Sequence, residues 1–409
     1  MMEETTDKLA ADLQSKKVQL HWLLQITKAI NYNLPAEQLY QIYENVLHDH
    51  LKAGKLSLFV NENGWKQVLS YGMKEELGRL QPELFLNEIS FSKSKTVATP
   101  QWLEKDESVI PVYHNEMLLA YCIVGAIDPS QSISIKEVVP FIHTITNIIV
   151  VAIENKRLNK EAVAQAGFRK ELELAAEMQE MLFPVGLCGN EYFEIATHYL
   201  PHQQVGGDYY DFISLNKHEH IFCMADVSGK GMAAALLMSN FQANLHALIK
   251  NRPVLTNLVA ELNDCVSKTA KGEKFITFFI GLINFKKGEI NYVNAGHNPP
   301  VFCSKNKSEL LERGTTGLGM FDELPFINEG HVKINSGDSV FCYTDGITEL
   351  ENLKGDFYGM EALKLFIEQN MNNSSLDEFH KKLIADLDHF REGNSFSDDV
   401  TILSLRSLS

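Results

Sequence analysis

The segment FITFFIGLINFKKGEINYVNAG, Phe275 to Gly296, is two apolar, β-prone runs separated by Phe285-Lys286-Lys287-Gly288-Glu289. A turn this tight lays the second run back beside the first, so the two pair antiparallel. Similar runs lie on either side: FEIATHYL and HIFCMAD before it, PPVFC, SVFCYTD and DVTILSL after it. Helical spacing occupies Met232 to Lys250, Leu255 to Lys268, Gly359 to Asn370 and Ser375 to Phe390. Antiparallel strands with separate helices predict an α+β fold for residues 186–409, a β-sandwich flanked by helices.

In four segments of this region an apolar strand runs into an Asp flanked by Gly or a second Asp, which puts each carboxylate at a strand end: VGGDYYDF with Asp208, FCMADVSGKG with Asp226, VFCYTDGITE with Asp345, and SFSDDVTIL with Asp398 and Asp399. A carboxylate at a strand terminus sits on a rigid element, and glycines such as Gly207 let backbone groups approach an ion or phosphate. Singly, each Asp reads as a turn or cap residue. Several converging carboxylates require a balancing cation near neutral pH. Oxygen donors without a competing His/Cys cluster favour Mg²⁺ or Mn²⁺ over zinc. Two such ions roughly 3.5–4 Å apart would polarise a phosphoryl group and activate water, so the chemistry expected is metal-assisted phosphoester hydrolysis.

Upstream, Glu154 to Leu182 is rich in Ala, Glu, Lys, Leu and Gln, lacks Pro and ends at Pro184-Val185-Gly186, which predicts a helical linker over 156–185. Phe168, Leu172, Ala175, Gln179 and Leu182 form one line; Leu174, Met178 and Met181 form another. Two lines suggest a partner helix as well as a neighbouring domain, hence a homodimer through this helix. Residues 20–155 read as a separate domain. A helix carries Leu20, Leu23, Leu24, Thr27 and Ile30 on one face, and a second follows Pro35 to Leu51. Then come KLSLFV, WKQVLSYG after the Asn63-Gly64 turn, SVIPVY and LLAYCIVGAI around His114-Asn115, and a closing helix from Ile135 to about Ile153. Residues 1–19 read as a tail or helix extension.

The 409 residues, 45% hydrophobic and 22% charged, suffice for two or three domains with sizeable cores. Against 37 basic side chains stand 53 acidic ones, and a formal charge of −16 opposes nucleic acid and anionic membrane as partners. Six scattered cysteines without a C-x-x-C pair indicate a reducing compartment. The acidic start MMEETTDKLAADLQSKK does not resemble a signal peptide, and VVPFIHTITNIIVVAI is broken by polar residues, so a cytoplasmic protein is expected.

GGDYYDF, ADVSGKGMAAALLMS, NAGHNPP, YTDGITE and DDVTIL, in this order between Phe193 and Leu405, resemble the motifs of PPM-type (protein phosphatase 2C fold) phosphatases of the bacterial SpoIIE/RsbU branch. The resemblance implies a protein-serine/threonine phosphatase with two Mn²⁺ or Mg²⁺ ions. Asp208 and Asp226 would hold the pair, Asp226 bridging, with the Val227 carbonyl, Asp345 and Asp398 completing the ligands. Asp211 and Asp399 would stand behind them. The Gly-His dipeptide and phosphate-binding Arg of eukaryotic members are missing: Val227-Ser228 occupies the first place, which leaves the group protonating the leaving oxygen unassigned. Lys230 adds charge near the phosphate or caps its loop, and His297 fits hydrogen bonding better than acid catalysis. The implied partner is a phosphorylated protein, an anti-sigma-factor antagonist.

Residues 20–155 resemble, more loosely, a GAF sensor domain awaiting an unknown small ligand or protein signal, and ELELAAEMQEMLFP resembles the helical switch of this branch. Two rival readings are a diguanylate cyclase, from GGDYY, and an inactive phosphatase-fold interaction module. The first leaves Asp226, Asp345 and Asp398-Asp399 unused; the second does not explain why all four Asp positions are filled.

Overall fold

A computed structural model describes residues 2–62, 64–73, 107–114, 117–127, 135–252, 254–304 and 307–408. Asn63 and Asn115, half of each expected turn dipeptide, lie outside the described residues. The chain forms two compact units, 1–166 and 167–409.

In the first unit, helices α1 (Met2–Asn31) and α2 (Ala36–Asn45) precede strands β1 (Ala53–Asn61), β2 (Trp65–Tyr71), β3 (Ser108–His114) and β4 (Met117–Ile127). These form one antiparallel sheet of order β2-β1-β4-β3. Period-2 alternation sends Leu56, Leu58 and Val60 of β1 and Ala120, Cys122 and Val124 of β4 to a core shared with the helices, while Phe59, Tyr121 and Ile123 form a smaller cluster on the other face. The buried side of α1 is rotated from the expected one: of the expected line Leu23 and Ile30 pack on the core, but Ile26 and Ala29 are the buried residues, and Leu20 and Leu24 are more than half exposed. Both lines of this helix are apolar, and the line of Trp22, Ile26, Ala29 and Ile30 meets the core.

Helix α3 (Ile135–Glu180) runs unbroken for 46 residues. By length and composition its Val138–Glu180 stretch could cross a membrane, contrary to the sequence expectation. Its most apolar part nevertheless packs Val138, Phe141, Ile142, Ile145, Ile149 and Val150 into the first unit's core, as a core helix does.

The second unit stacks two sheets. One has the order β11-β10-β14-β15-β5, with β5 (Phe193–Leu200), β10 (Val301–Ser304), β11 (Lys307–Leu310), β14 (Ser339–Tyr343) and β15 (Val400–Ser407). The other has the order β12-β9-β8-β7-β6, with β6 (Tyr209–Ser214), β7 (Glu219–Val227), β8 (Ile276–Asn284), β9 (Glu289–Ala295) and β12 (Gly314–Thr315); β13 (Gly330–Lys333) also pairs with β9. The Phe275 to Gly296 segment is the β8–β9 antiparallel pair. Alternation again sets the layers. Leu403 and Leu405 of β15 and Val340 and Cys342 of β14 join the larger core with residues of the other sheet, while Val400, Ile402, Phe341 and Tyr343 meet helices α7 (Gly359–Asn370) and α8 (Leu376–Phe390). The six-stranded sheet is covered by α4 (Met232–Ile249) and α5 (Leu255–Ala270), as in the edge-to-face contact of Phe241 with Phe278. A short helix, α6 (Asp345–Thr348), follows β14. Apart from the two-residue β12, which pairs parallel with β9, the result is the antiparallel sandwich between helical layers that the strand pattern predicts.

Candidate metal centre

Antiparallel pairing places the end of one strand beside the start of the next. Asp226 closes β7 while Asp208 immediately precedes β6, its partner; Asp345 follows β14 while Asp398 and Asp399 immediately precede β15, its partner. Three of the carboxylates, Asp208, Asp398 and Asp399, therefore stand at strand starts, where the sequence suggested strand ends.

Asp208 is 2% exposed, and its Oδ2 accepts the hydroxyls of Thr344, at 2.7 Å, and of Thr401. The Thr401 amide in turn donates to Thr344 Oγ1 at 3.0 Å, tying three motifs to one oxygen. Burial and then the nearby Asp226 and Asp399 hold the Asp208 carboxyl well above the usual range. Burial, followed by Asp345, Asp398 and Asp399, pushes Asp226 up to about 7. Burial, followed by Asp398 and Glu349, pushes Asp345 up to about 6. These carboxyls disfavour one another's ionisation, as the convergence expected from the sequence requires.

Asp399, buried, accepts the backbone N–H groups of His202 at 2.7 Å and Gly207 at 2.9 Å, so it holds the loop before Asp208. A Cβ at Gly206 would come within 2.3 Å of Asp399 Oδ2, which is why glycine is needed there. The Val227 carbonyl borders the same loop, 3.0 Å from where a Cβ at Gly207 would stand. Lys230 Nζ lies 2.8 Å from Asp398 Oδ2 and also donates to the Ser397 carbonyl. Gly206, Gly207, Asp226, Lys230, Asp398 and Asp399 line a narrow cleft.

His297 is buried, with Nδ1 2.9 Å from Thr277 Oγ1, and Thr277 faces Asp226 across the β7–β8 pair. Burial lowers its pKa to about 3, so the ring is neutral. Asp211 has partners away from the other carboxylates: Tyr209 Oη donates to it at 2.5 Å, and His246 Nε2 lies at 2.6 Å.

Three contributors were not singled out as site residues. Thr344 and Thr401 sit beside the Asp residues in YTDG and DDVT, and a hydroxyl next to each acidic motif was the available signal. Gln179 was placed on an apolar helical line; its carboxamide makes a matched pair with the Gly206 backbone, accepting N–H at 3.0 Å and donating to the carbonyl at 2.8 Å. A lone polar side chain on a buried stripe was its signal.

The donor set fits hard divalent cations. It is all oxygen, and a cation would relieve the mutual destabilisation of Asp208, Asp226 and Asp345. Among the described residues no three His, Cys, Asp or Glu side chains close around a single ion.

Residues 216–407 match the family model described as Stage II sporulation protein E (SpoIIE). Over 244 residues the chain is 28% identical to phosphoserine phosphatase RsbU of Bacillus subtilis (strain 168), covering 59% of this chain and 71% of that protein. It is 24% identical over 236 residues to phosphoserine phosphatase RsbP of the same organism, covering 56% of each, so it spans little more than half of that relative. Among solved structures, the SiaA-PP2C domain of Pseudomonas aeruginosa superposes with a TM-score of 0.54 at 17% identity, covering 60% of this chain and 99% of that domain, a likeness of fold.

Proposed function

We propose, from the premise that the second unit carries a SpoIIE-type phosphatase domain of the PP2C fold, that the protein is a metal-dependent phosphatase acting on phosphoserine or phosphothreonine of a partner protein. The observation that carries this reading is the gathering of Asp208, Asp226, Asp345 and Asp398 at the ends of two strand pairs, with carboxyls that raise one another's pKa. When bound, two Mn²⁺ or Mg²⁺ ions would supply Lewis acidity toward the phosphoryl oxygens and lower the pKa of water.

The chain's own residues do the rest. Asp208 and Asp226 would hold the ions, Asp226 between them, with the Val227 carbonyl, Asp345 and Asp398 as further ligands. Thr344 and Thr401 turn one Asp208 oxygen inward to themselves, leaving the other for the ions. Asp399 and Gln179 fix the Gly206-Gly207 loop that walls the cleft. Lys230 stands where its ammonium can exchange Asp398 for a phosphate oxygen. Neutral His297 steadies Thr277 opposite Asp226.

The names of the relatives support phosphoserine as the group hydrolysed; an anti-sigma-factor antagonist as its carrier is what the motif resemblance implies. The first unit, one antiparallel sheet carrying helices on its main core face, supports a GAF-like sensor role. The line of Leu174, Met178 and Met181, from about half to three-quarters exposed, supports a homodimer through α3.

The test is hydrolysis of p-nitrophenyl phosphate and of a phosphoserine peptide by the full chain. Turnover with millimolar Mn²⁺ that disappears with chelator is expected. Full turnover after exhaustive chelation would remove the metal mechanism.

A further inference from the structure

One pair of exposed apolar side chains directly follows cleft residues in the chain, and a second lies on a loop tied to the cleft through the paired backbones of Leu318, Ile276 and Val227. Met232 and Leu236 lie one turn apart at the start of α4, directly after the cleft residues Lys230 and Gly231, and are 41% and 64% exposed. Met320 and Phe321, 46% and 51% exposed, occupy the loop between β12 and β13. That loop is firmly held. Leu318 exchanges backbone hydrogen bonds with Ile276 at 2.8 and 2.9 Å. Asn263, 2% exposed on α5, accepts the Gly319 N–H at 2.9 Å and donates to the carbonyls of Phe321 and Asp322 at 3.0 and 3.1 Å. A buried asparagine thus fixes a backbone whose large apolar side chains point into water.

Ile276 pairs directly with Val227, whose carbonyl borders the cleft. The loop is therefore about two strand spacings, roughly 10 Å, from the candidate metal ligands. Scattered exposed hydrophobics are ordinary, but apolar pairs on two elements within reach of one cleft are the pattern of an interaction surface.

We propose that Met232, Leu236, Met320 and Phe321 dock the phosphoprotein substrate through apolar residues on both sides of its phosphoserine. This rests on the phosphatase reading above. Continuity with the cleft argues for the occupant: a phosphoserine entering there brings the protein surface around it. A specific protein contact covers about 800 Å² per partner, a disc roughly 16 Å in radius, wide enough to reach both pairs. Charge does little of the selecting around the phosphate, because the chain carries a formal charge of −16. The clamped loop presents its side chains without a further ordering cost.

The test uses the full chain with Mn²⁺ and three probes: p-nitrophenyl phosphate, a phosphoserine peptide with leucines about three to four residues to either side, the reach of roughly 10 Å of extended chain, and the same peptide with serines there. The wild type should favour the leucine peptide about tenfold in kcat/KM. Met320→Ser/Phe321→Ser, checked for fold by circular dichroism, should bring that ratio close to one, and Leu236→Ser on α4 should lower it independently. A wild type that treats the peptides alike, or variants that keep the preference, would overturn the docking surface and leave the phosphatase reading standing. No hydrolysis of p-nitrophenyl phosphate by the wild type would overturn both.

Discussion

Glu107 in the first unit and Asp208 in the second are both carboxylates withdrawn from water, 6% and 2% exposed. Glu107 lies 3.0 Å from the Lys55 ammonium. Asp208 instead faces Asp226 and Asp399, with threonine hydroxyls as its donors. A buried charge beside its counter-ion is a settled part of a core, whereas a buried carboxyl among its own kind is a local cost that persists where function requires it. The pairing around a buried acid, more than its burial, marks where the chemistry lies.

The largest effect expected from this contrast is on turnover. Asp226→Asn should lower kcat by at least about 10²-fold, the scale for removing a preorganised charge partner, with circular dichroism unchanged. Near-normal kcat would detach Asp226 from the chemistry. Next comes the support of Asp208. Thr401→Val removes one hydroxyl donor while keeping shape, and should weaken Mn²⁺ binding by about tenfold, as when a ligand loses its orienting partner. Thr401→Ser should restore binding, and a valine variant with wild-type affinity would make that hydroxyl purely structural.

Stability then separates the two acids by sign. Glu107→Gln takes the carboxylate from a Lys55 side chain only 17% exposed, and should lower the first unit's melting midpoint by a few degrees. Asp226→Asn in chelator removes a repelling charge and should leave the second unit's midpoint unchanged or higher. Two variants that shift in the same direction would erase the distinction.

The pH response is smaller and follows from the raised pKa values. Asp226 and Asp345 stand at about 7 and about 6 against an ordinary 3.8. Below 3.8 both folded and unfolded chains are protonated. As pH rises toward 7 the unfolded chain ionises first, so the metal-free second unit loses stability across that window. Melting in chelator should show a lower midpoint at pH 8 than at pH 5, with Mn²⁺ restoring more at pH 8. A flat profile would contradict the mutual repulsion.

Much of this site was legible because each Asp sits where an apolar run meets glycine or a second acid, and strand pairing then brings those junctions together. The four principal helices and most strands of the second unit followed from periodicity. Thr344 and Thr401 were hidden because threonine beside a strand is ordinary β chemistry, and their use depends on contacts between residues 136 and 193 positions apart. Gln179 was hidden for the same reason, its partner lying 27 residues away. On α1 two apolar lines competed, and only tertiary packing chose Ile26 and Ala29 over Leu20 and Leu24. Asp211 shares a motif with Asp208, and of its partners Tyr209 and His246 the second lies on a helix, 35 residues further on.

The most direct measurement is calorimetric titration of Mn²⁺ into the chelator-stripped full chain at pH 8, wild type against Asp226→Asn. A carboxylate shared by both ions predicts saturable binding by the wild type and its loss, or a weakening of at least about tenfold, in the variant. Equal Mn²⁺ binding by the two proteins, or none by the wild type, would contradict a metal centre built on these aspartates.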